Sequence, residues 1–219
     1  AAFFFSQEKA PAWKSATRAY AKAKSSDAAN TSVWLQPAPA NNTWAIAVRR
    51  DVATAQKLVS LDDFARWVAG GAKVKLAGSA EFVESPAALP AFQSAYGFRL
   101  SADQLLVLSG GDTAATEQAA ASGTSGVNAS MAYGTDGQLA ALGLTVLEDT
   151  KNVQPVYQPA PVIRKAVLDR HPNIGSLLVP VFESLTLETL QALNAKIAVE
   201  GQSPKTVAST YLKQKGWLK

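Results

Sequence analysis

Residues 103–144 read DQLLVLSGGDTAATEQAAASGTSGVNASMAYGTDGQLAALGL, and the order of elements within them decides the fold class. Leu105-Leu106-Val107-Leu108 is an unbroken apolar run of strand length, the pattern of a strand buried on both faces. Gly110-Gly111-Asp112-Thr113 closes that run and opens a small-residue helix, which Gly123 stops. Thr113 reads as the cap of this helix rather than as a ligand contact. GVNASMAYG is a second strand and TDGQLAALG a short helix. LTVLED, which begins on the last residue of the quoted stretch, is a strand again. Repeated strand–helix alternation is the signature of an α/β fold built on a largely parallel sheet.

Upstream the alternation continues. WAIAVRR (44–50) is a strand, and AKVKLAGS (72–79) alternates as one. Between them SLDDFARWVAGG is a helix, with Ser60 as cap, Asp63 three residues on and Gly70-Gly71 as stop. ALPAFQSAYG is a short helix ending at Gly97. Before all of these, residues 10–30 are Ala- and Lys-rich, with Trp13, Ala16, Tyr20 and Ala23 at helical spacing. SVWLQPAPA is then a short strand running into a proline-rich connector. Downstream, VQPVYQPAPVIRK is extended, and the rest is helical: AVLDRHP, IGSLLVPVFESL, TLETLQALNAKIA and SPKTVASTYLKQKG. In the last, Ser203 is the cap, Pro204 the first helical residue and Gly216 the stop.

Composition excludes several function classes. The chain has 219 residues, 47% of them hydrophobic and 17% charged, enough to bury a proper core. A net charge of +4 without any long basic run describes a solvated surface rather than a nucleic-acid face. Cysteine is absent, so no disulfide, thiolate chemistry or Cys-based metal site is available, and either side of a bacterial inner membrane remains open. No apolar stretch approaches the roughly 18–20 residues that span a bilayer. The opening AAFFFSQEKAPAW lacks the basic and long apolar regions of a signal peptide.

Catalytic motifs are missing as well. His171 is the single histidine, so no two-histidine zinc motif exists, and it reads as a surface helix end. Neither a nucleophile elbow nor a phosphate-binding glycine loop occurs. Asp62-Asp63 and Glu148-Asp149 read as solvated or capping acids rather than a catalytic pair. No cofactor is expected.

The polar content gathers at strand boundaries: Asn41-Asn42-Thr43 before Trp44, Gly110–Thr113, and Tyr133-Gly134-Thr135-Asp136-Gly137. In open α/β sheets ligands bind beyond strand ends and near helix N-termini. Each junction alone is an ordinary turn and cap; the three together equally describe one cleft. Trp44, Tyr133 and Tyr157 sit at polar or proline-bounded junctions. Trp34, Phe64, Trp67, Phe82, Phe92, Phe182 and Tyr211 read as packing residues. Ring faces clustered round a cavity suit a quaternary ammonium, which has no N–H to donate and gains ~0.5–2 kcal/mol per ring.

Five stretches carry a resemblance: WLQPAPANNTWAIAVRRD, AGSAEFVESPAALPAFQSAYGF, residues 103–144, VLEDTKNVQPVYQPAPVIRK and LNAKIAVEGQSPKTVASTYLKQKGWL. In order and spacing the chain resembles the substrate-binding proteins of osmoprotectant ABC transporters, in particular their OsmF/YehZ-like branch, over nearly its whole length. That family binds glycine betaine, choline and related compounds. The resemblance implies a two-lobed clamshell of the type II periplasmic-binding-protein kind, each lobe a mixed, largely parallel sheet flanked by helices. It places lobe one at 1–44 with 159–219, and lobe two at 45–158. It implies a non-enzymatic protein, periplasmic or extracytoplasmic, whose partners are a small-molecule ligand and a membrane ABC permease. Neither nucleic acid nor direct membrane insertion by this chain is expected.

Position by position, the resemblance offers Trp44, Tyr133 and Tyr157 as an aromatic cage, with Asn41, Asn42, Thr43 and Asp136 as polar neighbours. Trp44 is either a cage wall or a hinge-packing indole; Tyr133 and Tyr157 either line the cage or seal the lobes through their hydroxyls. Two departures stand out. The family has a further N-terminal segment, ending in a tyrosine-bearing motif, ahead of the position where this sequence opens; the expectation is a lobe one incomplete at its start. The family's EF-x-x-R-x-D-G-L-P arginine, which clamps a ligand carboxylate, is replaced by Ser85 in EFVESPAALP, with Ala87-Ala88 for Asp-Gly. A serine cannot form a bidentate charged clamp, so the resemblance leaves open choline-like or other small polar ligands, and a sensory clamshell domain in place of a transport receptor.

Overall fold

A computed structural model describes residues 14–219; Trp13 and the opening segment lie outside the described residues. Contacts divide the chain into two compact units, Ala1–Thr43 with Pro155–Lys219, and Trp44–Gln154.

The first unit begins with α1 (Ala16–Ala28), whose Ser15 cap accepts the Arg18 N–H and whose buried face is Ala19 and Ala23. β1 (Ser32–Trp34) pairs antiparallel with β7 (Val162–Arg164), Val33 opposite Ile163. Four helices close the unit: α8 (Lys165–Arg170), α9 (Ile174–Ser184), α10 (Leu187–Ala198) and α11 (Pro204–Gln214). The expected caps hold: Ser203 accepts from the Thr206 N–H with Pro204 at the first helical position, and exposed His171 ends α8.

The second unit, described by itself, is a five-stranded sheet in the order β4-β3-β5-β2-β6. Its strands are β2 (Trp44–Arg49), β3 (Leu76–Ser79), β4 (Leu105–Leu108), β5 (Ala129–Tyr133) and β6 (Leu144–Val146). β3 runs parallel to both β4 and β5, whereas β2 runs antiparallel to β5 and β6. The sheet is therefore mixed, because β2 enters against the direction of the strands that follow it.

Period-2 alternation separates its two faces. On one face Ile46, Val48, Leu76, Ala129 and Met131 join Phe64, Phe82, Leu89 and Phe92 in the main core. The helices covering it are α3 (Leu61–Ala69), with the anticipated Ser60–Asp63 capping box, and α5 (Leu89–Tyr96), ended by Gly97 in the left-handed region. On the other face Ala47, Ala77 and Ala132 meet α6 (Thr113–Ser122) through Ala119 and Ala120. Small residues on both sides let helix and sheet approach closely.

Four expectations need correction. β4 is an edge strand, with Val107 half exposed, so its continuous apolar run does not mean burial on both faces. β3 starts at Leu76, and all four of its residues are buried; the Lys-Val-Lys alternation before it is loop. Asp112, not Thr113, caps α6: its carboxylate accepts the Ala114 N–H, and Thr113 is buried one residue on. Two short helices have no counterpart in the sequence reading, α2 (Arg50–Gln56) and α4 (Ala80–Glu84). After α6, β5 leads into α7 (Gln138–Ala141).

Candidate functional site

In the second unit three of the residues singled out in the sequence come together. β2 opens on Trp44 and β5 ends on Tyr133, and the antiparallel register sets the two directly opposite. Residues paired this way project from the same sheet face, and their rings stack 6.3 Å apart at 21°. Trp44 meets the edge of Phe82 at 6.1 Å, and Phe82 in turn contacts Phe92 at 6.4 Å. Both Phe82 and Phe92 are fully buried. The indole is thus a half-buried plate anchored on the core.

Close packing fixes the anchor. A Cβ at Gly78 would stand 3.2 Å from the Phe82 ring and 3.3 Å from Val83, so glycine lets α4 turn straight off β3. Ser79 starts that turn by accepting the Phe82 N–H at 3.1 Å.

Tyr133 is held by the turn that follows it. Its N–H donates to the Asp136 carboxylate at 2.6 Å, and its carbonyl accepts the Asp136 N–H at 3.1 Å. Asp136 therefore braces the aromatic wall from behind, a role visible only once the turn is folded. Burial raises the Tyr133 phenol pKa; the Trp44 side chain opposes this, and the charges of Glu81 and Asp136 add to it. Two carboxylates thus bias the neighbourhood of two ring faces toward a cation.

In the first unit Asn41, Asn42 and Tyr157 come together. The Asn41 side-chain oxygen accepts the Tyr157 N–H at 2.7 Å, and the Asn42 N–H donates to the Tyr157 carbonyl at 2.9 Å. Asn41 thereby ties two chain segments 116 residues apart in sequence. Thr43 follows, its hydroxyl buried and without a hydrogen-bond partner. Asn42 and Tyr157 also line a cavity of about 270 Å³ with Tyr20, Trp34, Pro37 and Pro159. The rings there have commitments of their own: Trp34 Nε1 donates to Asp27 at 2.6 Å, and Lys24 lies over the Tyr20 face at 5.6 Å.

Ser85 stands at the end of α4, its hydroxyl accepting the Ala87 N–H at 3.4 Å. It closes a local turn and carries no charge for a ligand carboxylate. Sequence reasoning missed Glu81 and Glu117. Glu81 had no signal beyond a helix-start acid; Glu117 lies in a small-residue helix, and a polar residue there reads as solvent-facing.

No cluster of metal-ligating residues occurs among the described residues, and no helix among them is long and apolar enough to cross a membrane.

The α/β fold is that of a solute-binding protein, and comparison specifies which kind. The family described as "Substrate binding domain of ABC-type glycine betaine transport system" matches residues 10–214, and the chain belongs to it. The chain is 59% identical, over all of its length and 72% of the relative's, to the glycine betaine-binding protein YehZ of Escherichia coli K12. It is 33% identical to a glycine-betaine-binding protein of Pseudomonas aeruginosa, over 91% of this chain and 64% of that one. The structure of apo YehZ superposes with a TM-score of 0.85, over 99% of this chain and 77% of that chain. A glycine betaine/carnitine/choline transporter structure matches at TM-score 0.84 with 20% identity, a likeness of fold. The two-lobed, type II binding-protein fold and the membership of a transport family are thereby established, and binding proteins of ABC importers work outside the cytoplasm.

Proposed function

We propose that the chain is the receptor of an ABC importer and binds glycine betaine or a close quaternary-ammonium relative, with Trp44 and Tyr133 as the wall that takes the cation. The units Trp44–Gln154 and Ala1–Thr43 with Pro155–Lys219 are its two lobes, and it delivers its ligand to a membrane permease without chemical change. The observation that carries the reading is the stacked Trp44–Tyr133 pair, anchored on Phe82 and flanked by the Glu81 and Asp136 carboxylates. A trimethylammonium group offers no N–H, so ring faces and nearby negative charge are what hold it. Family membership and identity to two glycine betaine-binding proteins support the same ligand class.

Asn41, Asn42, Thr43 and Tyr157 are the polar and aromatic candidates of the unit Ala1–Thr43 with Pro155–Lys219, taken by itself. Within that set Asn41 acts chiefly as a brace, because its oxygen already holds the Tyr157 N–H. With Ser85 in place of a charged clamp, recognition rests on the cation, and choline competes with betaine on nearly equal terms. Calorimetric titration with glycine betaine, choline, carnitine and proline tests this. Saturable binding of the three quaternary amines but not of proline is expected. Binding of proline alone, or of none of the four, would overturn it.

A further inference from the structure

Beneath the wall lies a group that ligand binding does not require at first sight. Glu117, in the middle of α6, is fully buried, and no donor satisfies either of its oxygens when it is a carboxylate. Beside it stand the side chains of Asp136 and Gln138. Asp136 also accepts the Tyr133 N–H through its carboxylate. Glu117 is buried while Asp136 is only partly so, and a carboxyl buried beside a second carboxylate is held in its protonated form by desolvation and by the neighbouring charge.

Among the described residues, the groups around Glu117 provide no alternative counter-charge. Asp136 comes from the turn after β5, and Asp112 acts from the N-cap of the same helix; both are acids. Of the elements packed on α6, β3 and α7 bring no titratable side chain, and β5 brings Tyr133. β2 brings Arg49, whose guanidinium lies at the other end of α6, beside Gly123. Burial first, then Asp136, push the Glu117 carboxyl up from 4.5 to about 9.

From this geometry we infer that Glu117 is a positioning residue for the quaternary-ammonium wall: its carboxyl O–H donates to the Asp136 carboxylate, which holds the Tyr133 turn against Trp44. The inference rests on the proposed function for its ligand, but its proton does not. Loss of that proton sets two carboxylates against each other and releases the turn, and the loss of the ring pair outweighs the attraction of the added negative charge for a cation. The affinity for a quaternary amine is therefore gated by one buried proton, with the ligand never touching Glu117.

Three variants and two readouts test this. Glu117→Gln keeps a donor toward Asp136 and cannot ionise; Glu117→Ala removes the donor; Asp136→Asn keeps an acceptor oxygen and removes the second charge. With glycine betaine as probe, wild-type affinity is expected to hold from about pH 6 to 8 and to fall at least tenfold by about pH 10. Glu117→Gln is expected to match wild type at neutral pH and to lose the alkaline fall. Glu117→Ala, checked for folding by its melting transition, is expected to bind about tenfold more weakly at every pH.

The second readout needs no ligand. Infrared difference spectra of the free protein near pH 7 should show a protonated carboxylic acid band that Glu117→Gln lacks. Near-ultraviolet circular dichroism should report loosening of the Trp44–Tyr133 pair between about pH 7 and about pH 9.5 in wild type and not in Glu117→Gln. Absence of the infrared band, or the same alkaline change in both proteins, overturns the inference. If wild type binds no betaine at any pH, the functional reading fails, and the infrared and dichroism results still decide this one.

Discussion

Replacing Trp44 by leucine separates the wall from the core that supports it. Trp44 is half-buried and makes two ring contacts, the stack on Tyr133 at 6.3 Å and the edge contact with Phe82 at 6.1 Å. Aromatic pairs of this kind contribute about 0.5–1.5 kcal/mol each beyond their buried area. Leucine retains part of the apolar cover over Phe82, so the loss of stability is about 1–3 kcal/mol, which a domain of this size tolerates. The effect on binding has a different origin. A cation over an indole in a dehydrated site gains up to ~2 kcal/mol, and leucine offers no ring face. At 1.4 kcal/mol per tenfold, glycine betaine affinity should fall about tenfold to thirtyfold. Trp44→Phe keeps a smaller, weaker face and should lose about threefold. Isothermal titration is the appropriate assay, because the substitution removes a fluorophore that would otherwise report binding. Near-wild-type betaine affinity in a folded Trp44→Leu protein would show that the indole only packs, and the proposed wall would be wrong.

Four further outcomes follow from particular contacts. Ser85→Arg should raise the preference for glycine betaine over choline at least fivefold in competition titrations, since a guanidinium there adds the charged fork that the serine lacks; unchanged selectivity would place position 85 away from the ligand carboxylate. Gly78→Ala should lower the melting temperature and weaken betaine binding together, because its Cβ would press on Phe82 at 3.2 Å and move the plate that rests on that ring; a neutral Gly78→Ala would refute the coupling. Asn41→Ala should cost about 0.5–1 kcal/mol in chemical unfolding by removing the acceptor of the exposed Tyr157 N–H at a 2.7 Å contact, with Asn41→Asp intermediate; no loss would mean that the tie is replaced by water. Stability should also depend on Glu117: a carboxyl raised from 4.5 to about 9 binds a proton on folding. Its contribution is therefore fully present below about pH 4.5 and is lost as pH rises to about 9, by up to about 1.4 kcal/mol per pH unit. Glu117→Gln should flatten that slope between pH 5 and 8 in denaturant titrations, and parallel curves for the two proteins would contradict it.

Much of the fold was legible because local chemistry and tertiary structure agree. Ser60 with Asp63, Gly97, Gly123 and Ser203-Pro204 all end or begin helices where the sequence places them. Where reading failed, a long-range term decided. The run Leu105–Leu108 has the composition of a central strand, but its place at the sheet edge is set by which strands pair with β3. The antiparallel entry of β2 was equally hidden, since its alternating Ile46 and Val48 serve a strand of either direction. The helix of Arg50–Gln56 carries no capping side chain, and its end depends on Lys57 taking a left-handed conformation that no glycine announces.

The candidate site was legible in its rings and illegible in its support. Trp44 and Tyr133 drew attention because large aromatics stood beside polar turns, and the register then set them face to face. Asp136 is a polar neighbour that the sequence offers, and its reciprocal bonds with the Tyr133 backbone, which the sequence does not show, make it a brace as well. Glu117 could not have been found, because TAATEQAAAS offers a glutamate the same local setting whether it faces water or a second acid. Only the approach of α6 to a sheet of alanines, and the turn that brings Asp136 over it, bury that side chain. A binding site of this kind is thus specified at two ranges: ring identity is written locally, whereas the charge state behind the rings is written by packing. Substitutions that leave every ring in place can therefore still change affinity, and with it the pH at which the receptor holds its ligand.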